Sequence, residues 1–205
     1  MMDSVRMRDA FIGAVDYFIA TVARVPADEW DRPGLGEWSV RALVGHTSRA
    51  LLTVETYLAA GAARVDAPGP VQYFLVALAT IADHGAIAER GRQAGAALGD
   101  DPAEAVRALA ERVVARVQRA ADTDLVGTPV GGMTLIAYLP TRVFELAIHT
   151  LDLATALGVA GSLPDAAAVV TLDLVAGLAR QRGRDTELLL AATGRGALPA
   201  GYTVL

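Results

Sequence analysis

The chain contains no cysteine and no lysine, and all 18 of its basic residues are arginine. Without cysteine there are no disulfides, no thiolate metal ligands and no cysteine nucleophile. Any metal site must be built from histidine and carboxylate, and any thiol chemistry needs a thiol carried by a cofactor. Without lysine there is no Schiff-base chemistry; the arginine bias itself reads as base composition of the gene. Positive charge is short overall: the net charge is −5, with no basic block or stripe, so nucleic-acid binding has no electrostatic footprint. Mean hydropathy is high, at +0.38. Yet no stretch reaches about 18 apolar residues without a charge or a turn signal, so no membrane span is expected. Residues 1–11 lack an apolar segment with a small-residue cleavage site, which makes the cytoplasm the expected compartment.

What is present favours helices. Of 205 residues, 53% are apolar and only 5% aromatic, with alanine and leucine prominent. That length suits a single domain spanning 1–205, as monomer or homodimer. Phe11, Val15, Phe18, Val22 and Val25 recur at spacings of three and four, predicting a helix over 4–24. Residues 26–38, rich in Pro, Gly and Asp, read as a loop. Ser39 is a good N-cap for a helix ending near Gly61. A Pro/Gly turn precedes a helix from about 70 to 97. Asp101, Pro102 and Glu104 combine an N-cap, a first-turn proline and a capping-box glutamate for a helix to about 121. After a loop, helices are expected over 134–157, with Pro140 kinking it or marking its start, and over 164–182. The tail, 186–205, reads as a small β-hairpin. The expected fold is all-α: an up-and-down four-helix bundle with additional helices and a short hairpin-like tail.

The chemistry-bearing segment is YLPTRVFELAIHTLD, residues 138–152. At 100° per residue, Tyr138, Arg142, Glu145, His149 and Asp152 share a stripe about 80° wide on an otherwise apolar helix. Such a stripe either faces a strip of solvent or lines an interior site. Glu145 and His149, four apart, can converge on one ion, and their donor types suit zinc, iron, nickel or manganese. Two other histidines remain, His46 and His84. His46 lies on the flank of the second helix's core face beside Gly45, which lets another helix or a ligand come close. His84 is expected to be solvated or capping. Asp152 can accept the second imidazole N–H of His149, or simply be exposed. Arg142 can neutralise Glu145 as an i, i+3 pair, or meet a substrate carboxylate. Trp30 and Trp38 are expected to pack the 26–38 loop onto the bundle.

Two motifs carry a family resemblance. The stretch EW (29–30) through GEWSVR (36–41) and on to Gly45-His46 resembles the N-terminal signature of the mycothiol-dependent maleylpyruvate isomerase family, within the DinB-like metalloproteins. TRVFELAIH (141–149), continuing to DLATALG (152–158), resembles its second signature, and ATGR (192–195) with LPAGY (198–202) is similar to how many members end. The resemblance implies a DinB-like bundle with His46, Glu145 and His149 as ligands of one divalent ion, Zn2+ first among the choices. Three protein ligands leave a position open for water or a thiol, and the resemblance implies mycothiol as that thiol. The expected activity is that of a mycothiol-dependent isomerase or S-transferase acting on a small electrophile, with Arg142 and Asp152 beside the metal as catalytic candidates. The isomerase itself carries a larger C-terminal domain, whereas about 20 residues follow the last expected helix here, so maleylpyruvate isomerisation as such is not the expectation. A non-catalytic metal-binding or thiol-sensing module and a metal-free helical interaction protein are the rival readings.

Overall fold

Short polar side chains fix where the helices begin. The Asp3 carboxylate accepts the Arg6 N–H at 2.9 Å, the Ser39 hydroxyl accepts the Ala42 N–H at 3.3 Å, and Asp101 accepts the Glu104 N–H at 3.0 Å. Each satisfies an amide that the first helical turn leaves unpaired. In the computed structural model, which describes residues 3–80 and 84–205, these caps open α1 (Ser4–Val22), α2 (Val40–Ala60) and α5 (Pro102–Arg119). Glu104 does not close the capping box; it pairs with Arg107 at 2.6 Å instead.

The four long helices α1, α2, α5 and α6 (Leu135–Ala156) form the bundle. α1 and α2 each pack against both α5 and α6, so the ring runs α1–α5–α2–α6 and the first two helices are diagonal partners. Phe11, Phe18, Leu43, Leu51, Leu139 and Leu146 are all 0% exposed at its centre, and burying side chains of this size stabilises by about 1.5–3 kcal/mol each. Pro140 lies inside α6 and does not mark its start. The helix α7 (Asp165–Gln181) packs on α1 and α6. Among the described residues no single helix is long and apolar enough to cross a membrane.

Three expectations are corrected. The helix expected over 70–97 is two: α3 (Pro70–Thr80), which packs on α6 and α7, and α4 (His84–Ala96), which packs on α2. Residues 81–83 of that span lie outside the described residues, as does the His84 side chain. The two halves differ in composition, one apolar and one rich in Gly and Arg, and so find different partners. Second, the tail is not a hairpin: 185–192 forms helix α8 (Asp185–Ala192). Glu187, three leucines and two alanines are strong helix formers, and Asp185 and Glu187 complement the dipole of the first turn. Beyond it the chain turns back, and Val204 is buried with Phe74, Phe144, Leu174 and Leu178.

Third, the strands are where loops were expected. Pro33–Leu35 (β1) pairs antiparallel with Trp38–Ser39 (β2), and Leu125–Thr128 (β3) with Gly131–Thr134 (β4). Both hairpins lead directly into the helices that carry the polar cluster, β2 into α2 and β4 into α6. Gly131, at φ 108°, makes the second turn, and Gly132 accepts the Asp66 N–H through its carbonyl while donating its own N–H to the Asp66 carboxylate.

Candidate metal centre

His46 sits in the second turn of α2, where the Ser39 cap and β2 set the helix rotation, and Glu145 and His149 sit one turn apart on α6. Docking of α2 on α6 closes the gap of almost a hundred residues between them. One ligand atom from each of the three lies within 4.8 Å of the other two, and all three residues are half-buried. His149 Nε2 and Glu145 Oε2 are 3.4 Å apart. That is an ion-pair contact, and it is also about the separation of two ligands around a tetrahedral ion at 2.0–2.2 Å.

The protonation states follow from burial and neighbours. Burial, and then the nearby His149, lower the His46 pKa to about 4, so its ring is neutral at pH 7 and offers a lone pair. Its Nδ1 is buried with no hydrogen-bond partner among the described residues, an arrangement that costs about 1–3 kcal/mol unless something else engages the ring. Burial alone would raise Glu145, but the hydrogen bond to His149 and the Arg142 charge outweigh it and lower the carboxyl pKa to about 2. Burial would likewise lower His149; hydrogen bonds to Asp152 and Glu145 outweigh it and raise its pKa to about 9. His149 Nδ1–H donates to Asp152 Oδ2 at 3.0 Å, leaving Nε2 turned toward Glu145. A neutral imidazole, an ionised carboxylate and an oriented second imidazole form a donor group that could hold a metal ion.

The polar stripe on α6 therefore lines an interior site, not open solvent. Tyr138 is fully buried and its hydroxyl donates to Thr53 Oγ1 at 3.1 Å. Arg142 is buried too, but it makes no ion pair with Glu145. Its Nε–H donates to Thr141 Oγ1 at 2.9 Å, and its guanidinium lies over the rings of Tyr138 and Tyr73, 4.9 and 5.6 Å from their centroids. The helix spacing allows the pair with Glu145; rings on the stripe and on α3 compete for the same cation and win.

Trp38 has more than the packing role expected of it. Its ring stacks on His46 with centroids 4.4 Å apart at 31°, and its Nε1–H donates to the Ala88 carbonyl of α4 at 3.0 Å. A Cβ on Gly91 would lie 2.8 Å from that indole, so α4 clamps it. The cluster opens on a cavity of about 360 Å³ lined by Trp38, Arg49, Tyr57, Tyr73 and Arg90 among others. Arg49, three residues after His46, was within reach of a helical-spacing argument; Arg90 on α4 gave no such signal.

Four helices presenting a His, Glu, His cluster from two of them define a DinB-like bundle. The family model described as the mycothiol maleylpyruvate isomerase N-terminal domain matches residues 13–154, which run from α1 through the His149 turn, and the chain belongs to that family. No curated protein and no solved structure matches the chain significantly.

Proposed function

We propose that the protein binds one divalent metal ion, zinc first among the choices, through His46, Glu145 and His149, and uses it in mycothiol-dependent isomerisation or S-transfer on a small electrophile. The observation that carries the reading is the convergence of two imidazoles and a carboxylate within 4.8 Å in a chain of the mycothiol-linked family. Such an ion, held by His46, Glu145 and His149, would supply Lewis acidity able to lower the pKa of an exogenous thiol.

The chain's own groups do the rest. His46 is neutral before the ion arrives and needs no deprotonation. To hold the ion His149 would give up its Nε2 proton, while its Nδ1–H stays donated to Asp152, which fixes the ring; Asp152 would thus be a positioning residue. Glu145 brings the one negative charge of the ligand set. The half-enclosed cavity holds the thiol and electrophile together and thins the water around them.

The test is cobalt substitution followed by titration with mycothiol. A thiolate-to-cobalt charge-transfer band and release of a proton are expected, with weaker binding of glutathione. An unchanged cobalt spectrum at millimolar mycothiol removes thiol transfer and leaves the metal-binding module; failure to take up cobalt or zinc at all leaves the metal-free interaction protein.

A further inference from the structure

The helix α7 buries one face and leaves the other unpartnered. Ala167, Val170, Leu174 and Leu178 turn inward. On the opposite side Asp165, Val169, Leu172, Ala176 and Arg180 are all exposed, and at 100° per residue these five share a stripe about 80° wide. Val169 is 46% and Leu172 66% exposed, where the outer face of a helix normally carries polar groups. The adjoining α8, which packs on α7, adds exposed Leu189 and Leu190.

The two ends of the stripe carry opposite charges. Asp165 stands in the first turn of α7 and Arg180 in the last, which suits the helix's own dipole. Among the described residues neither side chain makes an ion pair or a hydrogen bond. A second α7 lying antiparallel across the first, about a twofold axis between Leu172 and Asp173, answers the whole stripe at once. Asp165 comes opposite Arg180, Val169 opposite Ala176, and the two Leu172 side chains meet at the axis. These pairs share one midpoint in the chain, so a single rotation makes them all. The parallel alternative sets Asp165 on Asp165 and Arg180 on Arg180. The apolar middle supplies the attraction and the end pairs choose the direction. Any other partner would need the same order of acid, apolar residues and arginine, which this chain already carries.

We propose that the exposed face of α7 is a homodimer interface in which two copies pack these helices antiparallel. A single helix face buries less than the roughly 800 Å² per partner of a standard interface, so the dimer is expected to exchange with monomer at micromolar concentration. None of the His46, Glu145 and His149 cluster takes part, and the interface stands whether or not a metal is bound.

Sedimentation equilibrium of the full chain, from micromolar to near-millimolar concentration, tests this. The wild type is expected to pass from monomer to dimer across that range. Leu172→Glu places two carboxylates at the axis and should weaken the dimer about tenfold or more, with native circular dichroism. Asp165→Arg and Arg180→Asp should each weaken it several-fold, and the double variant Asp165→Arg/Arg180→Asp should return it to wild-type affinity. The double variant is also the least favourable to the α7 dipole, so recovery in it cannot come from a steadier helix. A wild type that stays monomeric, or a dimer indifferent to Leu172→Glu, overturns the interface. A monomeric wild type that pellets with phosphatidylcholine vesicles overturns it in favour of a lipid surface. A double variant as weak as the single ones overturns the antiparallel arrangement. If Leu172→Glu does not fold, the charge-exchange series decides alone.

Discussion

Gly45 of α2 and Gly95 of α4 meet backbone against backbone: a Cβ on Gly45 would lie 2.1 Å from the Gly95 nitrogen, and one on Gly95 would lie 2.6 Å from the Arg41 carbonyl oxygen. Neither contact can be relieved by a side-chain rotation. α4 is thus seated on α2 beside His46, and it is α4 that holds Trp38 against the His46 ring.

Gly45→Ala should push α4 off α2 and destabilise the fold by about 1–3 kcal/mol or more. Because Trp38 loses its seat at the same time, zinc affinity should fall with stability. Denaturant midpoints and a zinc competition assay check both; unchanged values in each would mean that the interhelical contact does not govern the site.

His149→Ala should abolish zinc binding and lower the melting temperature of the zinc-loaded protein. A ligand at a thousandfold excess over Kd stabilises by about 4 kcal/mol. After chelation the variant and the wild type should differ much less. Metal content equal to wild type would remove His149 from the ligand set.

Asp152→Asn keeps the side chain's size but weakens the acceptor of the His149 Nδ1–H bond. Zinc affinity should drop about 10–100-fold with the fold intact. An affinity within error of wild type would leave Asp152 as a surface carboxylate.

The chelated protein should lose stability as pH rises, whereas the zinc-loaded protein should hold its own. In the chelated protein the His149 pKa is raised from 6.5 to about 9, so its contribution is full below 6.5 and is lost as pH rises through 9. His46, lowered to about 4, contributes above 6.5 and is lost as pH falls toward 4. The chelated protein should therefore lose stability from about pH 6.5 to 8.5. Zinc competes with the His149 proton, so the gap between loaded and chelated melting temperatures should widen over the same range. A chelated protein that gains stability with pH would contradict the His149–carboxylate pairing.

The α6 stripe was legible because helical period fixes angle: Glu145 and His149 had to share a face. Ser39 and Asp101 likewise announced their helices through capping chemistry. That His46 would meet the pair came from the family resemblance, since periodicity within a helix says nothing about which helices dock. The hairpins at β1–β2 and β3–β4 were missed because their strands are two to four residues long, too short to show alternation. The Leu188–Leu190 run read as a strand for the converse reason, since three apolar residues fit either period. Arg142 was legible in part: its charge does help keep Glu145 ionised, but its stacking with Tyr73 from α3, in place of a direct ion pair, appears only in the tertiary packing.

The split of the cluster between α2 and α6 has a kinetic consequence. In the unfolded chain Glu145 and His149 remain neighbours and offer at most a weak two-point grip, while His46 joins them only once two distant stretches of chain have docked. An ion held by all three fastens that docking like a clasp. Unfastening it becomes part of the barrier to unfolding, so metal should lengthen the lifetime of the folded state, and the slowest route for trading one ion for another should be the parting of those two helices.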